Sequence, residues 1–80
     1  MSDTAPRAGK IRNVFEKVAK GELVPNNFGS CLLTAVAEGL TSKQRLAAVL
    51  GTDPDSIRKA GNNLKPREIA AVAKRLTKDN

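Results

Sequence analysis

Apolar residues recur along this chain with a helical period. Ile11, Val14, Phe15 and Val18 fall at i, i+3, i+4 and i+7, the stripe of an amphipathic helix. Lys10, Arg12, Lys17 and Lys20 take other positions, and Gly21 is a C-terminal stop. The break ELVPNN follows, where Pro25 restricts Val24 and the asparagines offer a cap. A second helix begins near Asn27, runs through Phe28, Cys31, Leu32, Leu33, Ala35 and Val36, and ends at Gly39. It is apolar around much of its circumference, which predicts a central place in the core.

The segment LTSKQ carries the next start signal. Thr41 is expected to cap a third helix while Gln44 reaches back, as in a capping box. Leu46, Val49 and Leu50 are its inner positions, and Gly51 ends it. TDPDSI starts a fourth helix, with Asp53 as cap, Pro54 at the first helical position and Asp55 in the first turn. Gly61 is expected to stop it after about two turns. Pro66 opens a last helix, whose Ile69, Val72, Ala73 and Leu76 repeat the first spacing. No segment alternates with period two, and no internal repeat is present. The prediction is all-α: a compact five-helix domain over residues 10–80, preceded by a flexible arm at 1–9.

Composition removes several chemistries. The 80 residues contain no histidine and one cysteine, Cys31, so a Cys/His zinc site, a disulfide within the chain and imidazole acid–base catalysis are excluded. No glycine-rich phosphate loop and no pair of carboxylates on one face is visible, so an enzyme is not expected, nor is a cofactor or a metal. The apolar runs fall far below the roughly 18–20 residues of a membrane helix. The opening MSDTAPRAGK has no apolar signal-peptide core. The expectation is a cytoplasmic protein without a membrane partner.

Charge changes the picture more. Lys and Arg number 14 against eight Asp and Glu, a net charge of +6. Residues 1–39 carry five basic and four acidic side chains, net +1; residues 40–80 carry nine and four, net +5. The excess points to a basic face for a polyanion, although such a charge also serves solubility.

The basic half contains KQRLAAVLGTDPDSIRKAGN, residues 43–62. A helix-turn-helix brings two helices close over a three-residue turn, so certain positions are small, flexible or apolar. Ala47 fills the small contact position, Gly51 the turn position that favours positive φ, and Leu46, Leu50, Ile57 and Ala60 the positions that face the core. Thr52, where an apolar residue is usual, is a mild departure. The predicted motif spans residues 42–62.

Residues 31–62 resemble the helix-turn-helix of small phage and plasmid regulators of the lambda-repressor-like class. In those proteins too, a leucine-rich helix is followed by a small-residue helix, Gly, Asp and an Ile-centred recognition helix. The resemblance covers about 40% of the chain and implies a transcriptional regulator, commonly dimeric or higher, that binds a double-stranded DNA operator; a homodimer is expected. Ala60 is smaller than the residue many of these regulators carry there. Asp53 and Asp55 stand where Ser, Gln or Lys is common.

In that geometry the second helix enters the major groove N-terminus first. Arg58 is placed to donate to guanine O6 and N7, with Asn62 or Gln44 pairing with adenine. Lys59 lies on the same outward face. Ser56, Lys43, Arg45, Lys65 and Arg67 are the candidate phosphate contacts. Asp55 either accepts from cytosine N4 or, like Asp53, serves only as a helix cap. Self-association is expected through leftover apolar positions around Leu33, Ala71 and Leu76. A second reading is a protein-binding module from a mobile element: an inhibitor of a host enzyme, or an antiactivator in the transcription machinery. The acidic tip fits that reading. Single-stranded RNA fits less well, since the only aromatic residues are Phe15 and Phe28, both on inner faces.

Overall fold

A computed structural model describes residues 6–78. Among them run five α-helices: α1 (Pro6–Ala19), α2 (Phe28–Ala37), α3 (Lys43–Leu50), α4 (Ile57–Asn62) and α5 (Pro66–Lys78). A single 3-10 turn, Pro54–Ser56, leads directly into α4. No described residue is in a strand, and the all-α expectation holds.

The periodic positions form the core. Phe15, Val18, Phe28, Leu32, Leu46 and Ile57 are its fully buried large side chains. Ile69, Val72, Ala73 and Leu76 of α5 join the same cluster. The rings of Phe15 and Phe28 meet edge to face with centroids 5.7 Å apart, a favoured aromatic geometry that ties α1 to α2. Two helix pairs dominate the packing. The first and last helices, α1 and α5, lie against each other, and α2 lies against α4. Helix α3 touches α2, α4 and the 3-10 turn.

Several boundaries differ from the sequence reading. Helix α1 starts at Pro6, so four residues assigned to the arm are helical, and residues 1–5 lie outside the described residues. Proline suits a first helical turn because its missing N–H has no intrahelical partner there. The cap of α3 is Ser42, whose Oγ accepts from the Arg45 N–H at 3.1 Å. This places Gln44 out of register for a capping box. Thr41 Oγ1 is buried and makes no hydrogen bond. A reach-back bond forms instead at α5, where the Lys65 N–H donates to Glu68 Oε1 at 2.8 Å.

Leu76 is only 3% exposed and belongs to the core, which removes it from any self-association surface. Leu33 is partly buried against the core and Ala71 is exposed.

Gly61 is not a helix stop. Helix α4 continues through Asn62, and Gly61 is buried. It faces Gly29 in the second turn-forming position of α2. A β-carbon built on Gly61 would stand 2.7 Å from Gly29 Cα, and one on Gly29 would overlap the Arg58 carbonyl oxygen. The α2–α4 crossing is therefore a backbone-to-backbone approach that only a glycine pair allows.

Candidate nucleic-acid interface

Helix α3 ends at Gly51, which adopts φ 71° and ψ 36°, the left-handed conformation that costs a residue with a β-carbon about 1–2 kcal/mol. The Gly51 and Thr52 N–H groups both donate to the Ala47 carbonyl, closing the helix end. Asp53 is extended, with φ −88° and ψ 163°, and its carboxylate makes no cap hydrogen bond. It stands at the cap position without capping. The chain thus runs helix, three-residue turn and helical segment between Lys43 and Asn62. Ala47 is 8% exposed, and Leu46 and Ile57 are fully buried. Leu50 and Ala60, expected to face the core, are half-buried.

The candidate contacts fall into three groups. Lys43 and Gln44 in the first turn of α3, Asp55 in the 3-10 turn, and Arg58 and Lys59 on α4 are exposed; Ser56 is half-buried. These carry side chains into solvent around the turn. Arg45 and Asn62 are exposed but engaged within the fold. Arg45 Nη2 lies 3.4 Å from the Arg75 carbonyl oxygen in α5, a long contact at the negative end of that helix. Asn62 Oδ1 accepts from the Gly29 N–H at 2.8 Å. Asn27, at the cap position of α2, makes no side-chain cap bond, so Asn62 does that work from 33 positions away. The adenine contact expected of Asn62 competes with this structural bond. The third group is Lys65 and Arg67. Both are exposed, but Arg67 lies in the first turn of α5, about two and three helical turns from Lys74 and Lys78 along the same face.

No protein-family model, curated protein or solved structure matches this chain.

Four features went unrecognised in the sequence. Gly29 and Ser42 are two; the third is Glu68 as a reach-back cap. The fourth is a pair of arginines at the C-terminal end of α5: Arg12 Nη2 donates to the Thr77 carbonyl at 2.6 Å, beside the Arg45 contact. Gly29 had a signal. A glycine inside a helical run weakens the helix, and where it is retained a close backbone approach is one reason.

The remaining chemistry is sparse. Burial pushes the Cys31 thiol above its ordinary value, which disfavours the nucleophilic thiolate. Among the described residues no cluster of His, Cys, Asp and Glu is arranged to hold a metal ion. None of their helices is long and apolar enough to cross a membrane.

Proposed function

We propose that this protein is a sequence-specific double-stranded DNA-binding transcriptional regulator that acts as a dimer through a helix-turn-helix at residues 42–62. The observation that carries this reading is the three-residue turn with Gly51 in the left-handed conformation, bracketed by buried Leu46, Ala47 and Ile57. That arrangement supports α4 as the segment presented to the major groove. Arg58 reads a guanine and Lys59 flanks it; Lys43 and Lys65 meet phosphates. Asn62 holds α2 rather than a base.

Selection of bound sequences from a random duplex pool tests this directly. An enriched palindrome is the expected result, and Arg58→Ala relaxes its preference at one base pair at a loss of about 1–3 kcal/mol. A pool that emerges with no enriched sequence overturns the reading.

One observation favours a second reading, a small helical inhibitor or antiactivator that binds a protein. Leu23 and Val24, adjacent in the α1–α2 connection, are 41% and 52% exposed, and Asp53 and Asp55 make the tip acidic. Exposed aliphatic residues suit a protein contact better than a phosphate backbone. Loss of partner binding in Val24→Asp with DNA selection unaffected would mark this second role.

A further inference from the structure

Helix α5 separates its residues more sharply than any other element. Ile69, Val72, Ala73 and Leu76 are buried, and Arg67, Ala71, Lys74 and Lys78 are exposed. Pro66, Glu68 and Arg75 are exposed beside them; Arg67, Ala71, Lys74 and Lys78 themselves follow i, i+4, i+7 and i+11, one straight stripe along the helix. Its partner α1 shows a comparable set, Lys10, Asn13 and Lys17, all exposed.

The charge budget of the fold sits here. From Lys10 onward α1 carries Lys10, Arg12 and Lys17 against Glu16, and α5 carries Arg67, Lys74, Arg75 and Lys78 against Glu68. Seven cations against two carboxylates give +5, whereas residues 42–62 hold four cations and two aspartates, +2. Both carboxylates are engaged: Glu16 pairs with Arg12 at 3.5 Å, and Glu68 accepts from the Lys65 N–H. The stripe of α5 contains no acidic residue.

Two ordinary explanations fall short. A face kept only for solubility interleaves both signs and gains from i,i+4 pairs of opposite charge; here Lys74 and Lys78 are a like-charged i,i+4 pair. The helix dipole favours cations in the last turn, which covers Arg75 and Lys78, but it disfavours Arg67 in the first turn. Two of the C-terminal carbonyls, those of Thr77 and Arg75, are moreover already met by Arg12 and Arg45.

We infer that the outward stripe of α5 is a second, sequence-independent contact surface for the phosphate backbone of duplex DNA, separate from α4. Arg67 to Lys78 spans eleven residues, about 16 Å at the helical rise. Duplex DNA offers one charge per roughly 1.7 Å of axis, so several phosphates fall within reach. Ala71, in the middle of the stripe, leaves room for the backbone to approach. A protein partner would call for an aromatic or large aliphatic anchor, and the stripe has none. An anionic membrane would call for a free apolar face, and that of α5 is buried in the core.

The test is the salt dependence of binding to a short random-sequence duplex, measured for the parent, for Lys74→Gln/Lys78→Gln and for Lys74→Arg/Lys78→Arg. Each phosphate contact contributes about 0.9 to the slope of log affinity against log salt. The Gln double variant is expected to lose about 2 from the slope while its preference for a selected site over random sequence stays unchanged. The Arg variant is expected to keep the parent slope. A Gln variant with the parent slope overturns this surface alone. A slope and a site preference lost together overturn its independence from α4. A parent with no salt-dependent binding overturns both this inference and the proposed function.

Discussion

Replacing Gly61 with alanine is the sharpest probe of how α4 is held. In an exposed helix the change is stabilising, since glycine is about 0.8–1.0 kcal/mol less favourable than alanine. Here the new β-carbon meets Gly29 Cα at 2.7 Å, Leu32 Cδ1 at 2.9 Å and Gly29 N at 3.0 Å. Carbon atoms in contact prefer about 3.5–4.0 Å, so α2 and α4 have to separate by roughly 1 Å. Leu32 is fully buried and has little room to swing away. Overpacking of this kind costs about 1–3 kcal/mol. Separation also stretches the Asn62–Gly29 bond, 2.8 Å in the parent, at about 1 kcal/mol. Set against the helical gain, the net is a destabilisation of about 1–3 kcal/mol. With a urea slope near 1 kcal/mol/M for a small domain, the midpoint falls by about 1–3 M. Gly29→Ala is the harsher variant, because its β-carbon would overlap the Arg58 backbone, where no side chain is free to yield; α4 is expected to undock. A Gly61→Ala midpoint equal to or above that of the parent, as helix propensity alone dictates, would refute the close crossing.

Three further outcomes follow from neighbouring features. Asn62→Ala is expected to lose about 1 kcal/mol as a missing cap, whereas Asn62→Asp keeps the acceptor, adds a favourable charge at the start of α2, and matches the parent in a denaturation midpoint; equal losses in both would reject the capping role. Gly51→Ala is expected to lose about 1–2 kcal/mol through its left-handed φ, read by the same assay, and an unchanged midpoint would place the turn in another conformation. Burial raises the Cys31 thiol pKa in the folded state, so the unfolded chain releases that proton first and stability falls as pH rises through the unfolded thiol value, about 8.5. Denaturation midpoints of parent and Cys31→Ser compared across that range check the sign, since only the parent carries this contribution; the same burial makes alkylation of the native protein slower than that of the unfolded chain.

Helix count and core faces were legible because they are local. The spacing of Ile11, Phe15 and Val18, or of Ile69, Val72 and Leu76, reports a buried stripe without knowledge of what it packs against. The turn glycine was legible for the same reason, since Gly51 answers to its own φ. Gly61 misled because a glycine near a helix end has two physical uses, left-handed stop and close approach, and only the position of α2 decides between them. Asn62 misled likewise: its outward place on α4 suits a base contact, and nothing within 30 residues of sequence reveals the uncapped Gly29 N–H. The choice of Ser42 over Thr41 was a one-residue question that local preference leaves open, as both hydroxyls cap well. In the candidate interface, the turn and the burial of Ala47 were readable, while the engagement of Arg45 at α5 needed the fold.

The pairing of α1 with α5 has a consequence for the order of events during synthesis. Helix α1 is made first among the described elements, yet its main partner is made last. An isolated helix of its length is marginal in water, so the apolar face of Ile11, Phe15 and Val18 waits through the synthesis of the three intervening helices, with Phe28 of α2 as an early companion. At roughly 5–20 residues per second, that interval lasts seconds, long compared with the microseconds a helix needs to form. The nascent chain therefore passes through a stage in which its first helix is complete in sequence but unsheltered, and the final turn of α5, where Arg12 finds the Thr77 carbonyl, closes the fold as it leaves the ribosome.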